Sequence, residues 1–180
     1  MAPTLVSENV FRGIVDAENP PGIAAEIPLI ETSIHENADC VFLEGVQDSG
    51  NVGAIIRSAA AFGVRNMFID RACADPWSPK VLRASMGGHF MLSIIECRNP
   101  PKATLVCTVP RDGTPLKEAD LSGPLCWVFG SEGKGVSPAL QEKAALRVTI
   151  PMAAGMESLN VAAAAAICFC EAFSRRGRGS

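Results

Sequence analysis

The sequence predicts an α/β domain with a mostly parallel sheet and helices on both of its faces. Three observations carry that prediction. From Asp39 onward, strand-like and helix-like runs alternate. The strand-like runs are near-continuously apolar, as strands covered on both sides are. The chain, 180 residues of which 48% are hydrophobic and 19% charged, is large enough to close one such core.

The elements follow in order. Residues 1–37 carry Pro20, Pro21 and Pro28 around a short apolar piece and read as a linker or docking arm. The run 41–43 is a short buried strand, and 51–62 a helix stopped by Gly63. A second strand covers 64–70. A helix spans 79–86, with Ser78 as its cap and Pro79 at its first position, where a missing N–H costs nothing. The runs 104–109 and 125–129 are β-rich, and 138–145 repeats the Ser-Pro helix start. A last strand, 148–150, leads to an alanine-rich closing helix, 157–173. The tail from Arg175 to Arg178 is basic and glycine-containing, and reads as mobile.

Composition excludes several classes. A net charge of −3 argues against wrapping nucleic acid by bulk positive charge. Seven cysteines without a C-x-x-C, and only two histidines, point to reduced thiols in the cytoplasm and to no metal. The start lacks a signal-peptide pattern, and the longest apolar stretch, 161–170, falls short of the roughly 20 residues of a bilayer span.

In a parallel sheet, ligands gather at the carboxyl ends of strands, which singles out three loops. The first runs Glu44-Gly45-Val46-Gln47-Asp48-Ser49-Gly50-Asn51-Val52-Gly53 into the helix bearing Arg57. Asn51 is a candidate cap, and Gly53, four residues before Arg57, would leave room beside the guanidinium for a sugar-phosphate. The second, Phe129-Gly130-Ser131-Glu132-Gly133-Lys134-Gly135-Val136-Ser137, has three glycines in six residues after a strand. It fails the Walker pattern because Val136 follows Gly135, and the Rossmann fingerprint because of Pro138. The third, from Ile150 to Asn160, ends a strand at Pro151 and places Glu157, Ser158 and Asn160 at a helix mouth, where Ser158 alone reads as a cap. His89, with no acid or cysteine near it in sequence, reads as structural, and Trp127 as core.

In this order the loops resemble the three motifs of the SpoU (TrmH) family, RNA ribose 2′-O-methyltransferases of the SPOUT superfamily. The carriers are the 45–57 run, the 129–135 run, and Ile150-Pro151-Met152 with Glu157-Ser158-Leu159-Asn160-Val161; the stretch 78–87 is also similar to the segment between the first two motifs. The likeness spans about residues 39–173. It implies an α/β knot: a C-terminal segment tied into a deep trefoil knot, against the general rule that such connections are unknotted. It implies S-adenosylmethionine bound by Thr108, Val109, Gly130, Ile150, Met152 and Leu159. By similarity Arg57 is the central catalytic residue, with Asn51, Glu132, Ser158 and Asn160 around it. Structured RNA, rRNA or tRNA, is the implied substrate, and a homodimer the implied assembly. The implied domain plan is an N-terminal extension or interdomain linker (1–38), a catalytic domain (39–173) and a basic flexible tail (174–180). A catalytically silent RNA-binding or assembly module with the same fold is the competing function. A phosphate-loop hydrolase is disfavoured by the broken Walker pattern.

Overall fold

Seven short strands form one sheet in the computed structural model, which describes residues 3–15, 20–29 and 33–177. They are β1 (Cys40–Glu44), β2 (Asn66–Ile69), β3 (Ser93–Glu96), β4 (Thr104–Thr108), β5 (Thr114–Pro115), β6 (Leu125–Gly130) and β7 (Leu146–Thr149). Their order across the sheet is β3-β2-β1-β6-β4-β7-β5, and every neighbouring pair is parallel. All strands therefore end on one edge of the sheet. The order turns back between β1 and β6, where Leu43 lies opposite Phe129 and Glu44 opposite Gly130. This reversal is where the loops after two strands part and leave a crevice.

The β1 and β6 runs are buried on both faces because both are covered. On one face Val41, Leu43, Trp127 and Phe129 pack with Val52, Ile55 and Ile56 of α2 (Ser49–Ala61) and with Ala165, Cys168 and Phe169 of α5 (Val161–Gly177). Phe169 meets Phe129 edge-on at a centroid distance of 5.7 Å, the orientation that the ring quadrupoles favour. On the other face Cys40, Phe42, Cys107, Cys126 and Val128 pack under Leu140 of α4 (Pro138–Lys143). A short α3 (Pro79–Ser85) and a 3-10 turn (Gly88–Phe90) lie against α2.

Two strands escaped the sequence reading, β3 and β5. They are the edges of the sheet; β3 begins and ends on polar residues, and β5 is two residues long and contains Pro115, which only an edge accepts. The closing helix starts at Val161 rather than 157, and its cap is Asn160, not Ser158: Asn160 Oδ1 accepts the amides of Ala162 and Ala163 at 2.9 and 3.2 Å. Asp48, not Asn51, caps α2, accepting the Asn51 amide at 2.8 Å. Ser78 and Ser137 precede Pro-initiated helices as expected, yet neither hydroxyl makes a cap bond.

The expected tail at 174–180 is helical through Gly177. Arg175 donates to Leu116 O, Ala119 O and Glu171, and Arg176 forks onto Asp39 and reaches Gly123 O. These two arginines are engaged in holding α5 rather than projecting into solvent. Residues 178–180 of that tail lie outside the described residues, as does Glu18-Asn19 of the expected linker.

The contacts divide the chain into two units, Met1–Glu31 and Thr32–Ser180. The first contains a helix, α1 (Glu8–Ile14), within the stretch read as a linker, docking arm or N-terminal extension. Ser7 caps it, an Arg12–Glu8 pair lies along it, and none of its residues is buried. No helix among the described residues is long and apolar enough to cross a membrane, and none of their side chains form a metal-holding group of three.

Candidate active site

The turnback of strand order brings the first and second loops together, and α5 delivers the third. Asn51, on the first turn of α2, has its amide fixed by Asp48. Its side chain is then free to bridge: Nδ2 donates to Glu132 Oε1 at 2.9 Å, and Oδ1 accepts from Asn160 Nδ2 at 2.9 Å. The polarity of this chain of bonds is dictated at both ends. The Glu132 carboxylate can only accept, so the Asn51 amide nitrogen faces it. The Asn160 oxygen is committed to the first amides of α5, so its nitrogen faces Asn51. Three residues from three loops thus form one continuous line of hydrogen bonds.

Glu132 is exposed, and partial burial alone would raise its pKa. The Asn51 bond and backbone groups of Glu132, Asp48 and Gln47 outweigh that and hold the carboxyl below its ordinary value. Around it the second loop is pinned by Ser131, whose carbonyl accepts the Gly135 amide at 2.8 Å. Glu44 at the end of β1 accepts the Ser137 amide at 2.7 Å. A Cβ on Gly130 would lie 2.0 Å from the Gly135 carbonyl carbon and oxygen, so the loop folds over that position only because it is glycine.

The remaining expected residues divide. Arg57 lies two turns down α2, exposed, its side chain making no hydrogen bond or ion pair to the described residues. Ser158 is exposed in the loop 150–160 and outside the Asn51 network. Thr108, Val109, Gly130 and Ile150 come to the same edge because β6, β4 and β7 are adjacent, with Thr108 opposite Val148. The Val109 amide bonds Val148 O at 2.9 Å, and the Thr108 hydroxyl donates to Val128 O at 3.3 Å. Met152 is half-buried and Leu159 37% exposed, so both present apolar surface beside that edge.

Gly53 does not do what its spacing suggested. It is buried against α3: a Cβ there would sit 2.4 Å from Ala84 Cβ and 2.9 Å from Val81 O. The glycine admits a neighbouring helix, not a ligand beside Arg57. Sequence reasoning also passed over Asp48 and Glu44, which organise the first two loops. Asp48 was legible as an acid three residues before Asn51, the spacing of a side-chain cap.

Comparison with known proteins bears on the family and the fold. The model of the SpoU rRNA Methylase family matches residues 39–170. An uncharacterised tRNA/rRNA methyltransferase of Synechocystis is 36% identical over 181 residues, covering 93% of this chain and 66% of that protein. The 23S rRNA (guanosine(2553)-2′-O)-methyltransferase RlmP of Bacillus subtilis is 33% identical, covering 91% and 69%. The chain thus spans about two thirds of the length of these relatives. Among solved structures, the AdoMet-bound rRNA methyltransferase from Sinorhizobium meliloti superposes with a TM-score of 0.81 at 28% identity, over 94% of this chain and 70% of that one. The SpoU methyltransferase AviRb from Streptomyces viridochromogenes, in complex with AdoMet, gives 0.75 at 29%, over 81% and 63%. Three motif loops joined by one hydrogen-bond line, on a sheet of this order and with these likenesses, place the chain in the SpoU rRNA methylase family.

Proposed function

We propose that this chain transfers a methyl group from S-adenosylmethionine to a ribose 2′-hydroxyl of structured RNA, rRNA or tRNA. The observation that carries the reading is the Glu132–Asn51–Asn160 line, which locks the three motif loops together at the sheet's turnback. The strand-end edge fits the cofactor chemically. Val109, Ile150, Met152 and Leu159 offer apolar surface, and Gly130 and the Thr108–Val109 strand end offer backbone.

The bound cofactor supplies an activated sulfonium methyl, so the protein's part is alignment and electrostatics. Arg57 carries an unengaged guanidinium whose fork suits the phosphate beside the reacting ribose. A guanidinium pKa above about 12 disfavours Arg57 as the proton acceptor, and we assign it the clamp. Asn51 and Asn160 set the loops' spacing, Glu132 fixes the Asn51 carboxamide, and Ser158, exposed in the third loop, is assigned a contact to the ribose.

The finer architecture belongs to the same proposal. Placement of β7 between β4 and β5, with α5 returning to β6 and α2, suits a C-terminal end threaded into a trefoil knot. Ile167 and Phe173, 41% and 54% exposed on α5, suit a homodimer contact. Residues 39–173 are then the catalytic domain and 1–38 an N-terminal extension or interdomain linker, and seven unpaired cysteines support a cytoplasmic enzyme.

Labelled cofactor incubated with total RNA, followed by nucleoside analysis, tests the reading. Label on a ribose 2′-oxygen, lost in Arg57→Ala while calorimetry shows cofactor affinity within about twofold, is the expected result. Cofactor binding without any transfer by the unmodified chain sinks it and leaves the silent RNA-binding module.

A further inference from the structure

α2 is gripped by its neighbours at two points, one a turn before Arg57 and one at Arg57 itself. One is Gly53 against α3, described above. The other is Gly88: a Cβ there would lie 3.0 Å from Ile56 Cγ2, 3.2 Å from Ile56 O and 3.3 Å from Arg57 Cα. The 3-10 turn therefore rests directly on the backbone that carries Arg57. Its next residue, His89, is 5% exposed and holds the turn in place. His89 Nδ1 lies 2.8 Å from Ser85 Oγ on α3, and Nε2 lies 2.7 Å from Pro76 O in the loop after β2. The imidazole also packs on Trp77 at a centroid distance of 5.0 Å.

The protons of this clamp can be placed. Pro76 O only accepts, so Nε2 carries the hydrogen. Burial disfavours the charged ring and lowers the His89 pKa, with the Pro76 bond opposing, so Nδ1 is left as an acceptor. The Ser85 hydroxyl, with Leu82 O also in reach at 2.9 Å, donates to it. Both ring nitrogens and a fully buried hydroxyl are then satisfied in a site where an orphan would be costly.

We propose that His89 is a positioning residue for methyl transfer, tying the Gly88 turn to α3 and to the Pro76 loop so that α2 presents Arg57 in one place. The inference rests on the assignment of Arg57 to the RNA phosphate, but its structural half is testable without activity.

Amide exchange by mass spectrometry on the full chain reads the first half. In His89→Ala, peptides covering 50–62 should exchange at least tenfold faster while β1 and β6 peptides keep their protection. His89→Gln, whose amide can still reach Pro76 O, should restore most of it. On labelled RNA, His89→Ala should lower kcat at least tenfold with cofactor Kd within twofold, and His89→Gln should keep more than a third of the rate. Unchanged α2 exchange in a folded His89→Ala overturns the proposal, as does a loss of cofactor affinity matching the loss of rate. If His89→Ala does not fold, Ser85→Ala decides: faster exchange confined to 50–62 and 76–90 supports it, and unchanged exchange overturns it. An unmodified chain that transfers no methyl refutes the proposed function and leaves the exchange result to judge the clamp.

Discussion

Asn160 donates its side-chain amide to Asn51 Oδ1 at 2.9 Å, joining residues 109 apart in sequence. The same Asn160 caps α5, so one side chain both starts the last helix and closes the site. Asn160→Ala should cost about 1 kcal/mol of stability through the cap, read by urea unfolding. It should cost methyl transfer far more, at least tenfold in single-turnover rate, because Asn51 loses its orientation. Asn51→Asp should fold yet be as impaired, since it sets a second carboxylate against Glu132.

Glu132 gives the site a pH dependence whose sign is fixed. Its carboxyl is held below the ordinary value of 4.5 by the Asn51 bond and nearby backbone groups, against burial. The stabilisation is therefore present above that value and is lost as pH falls through the lower, folded one. Carboxyl chemical shifts should show a Glu132 midpoint below 4.5, moving upward in Asn51→Ala. A midpoint unchanged by that substitution would show that Asn51 is not the partner that matters.

Gly130→Ala tests the fold-over of the second loop. The added methyl meets Gly135 at 2.0 Å and the Val136 nitrogen at 2.2 Å, backbone atoms that cannot swing aside. Overpacking of this kind costs about 1–3 kcal/mol. Thermal unfolding should fall accordingly, with cofactor affinity dropping as the loop opens at the strand-end edge.

The bond between Arg176 and Asp39 fastens the end of α5 to the start of β1. The Asp39 side chain is 7% exposed and also accepts the Leu125 amide at 2.9 Å, at the start of β6. Asp39→Ala should therefore destabilise more than Arg176→Ala: it orphans a buried amide as well as a guanidinium. Arg176 is 40% exposed, so its own removal should cost only about 1 kcal/mol after solvent screening. Equal effects in denaturant unfolding would contradict this ordering.

Much of the fold was legible because β1, β2, β4 and β6 are central or near-central strands with long apolar runs. The edges β3 and β5 were not, since short strands with polar ends or a proline lack that signature. Asn51, Glu132 and Asn160 were identified through motif likeness, but their mutual bonds depend on how the strand order turns back, which no local spacing states. The same limit explains Gly53. Its helical spacing to Arg57 is correct, yet whether a ligand or Ala84 fills the gap is a tertiary fact. Ser158 misled for a local reason: two polar side chains compete for the cap, and Asn160 sits where the helix begins.

Arg175 and Arg176, part of the basic tail that read as mobile, instead hold α5 to Asp39 and to backbone carbonyls. Each phosphate neutralised by a protein cation releases bound counterions and adds about 0.7–0.9 to the slope of log affinity against log salt. With those two arginines engaged, the domain has two fewer such contacts to make than its sequence suggests. Its grip on RNA should therefore be shallow in salt dependence, and shape at the loop mouth, more than ion exchange, should decide which strand is held.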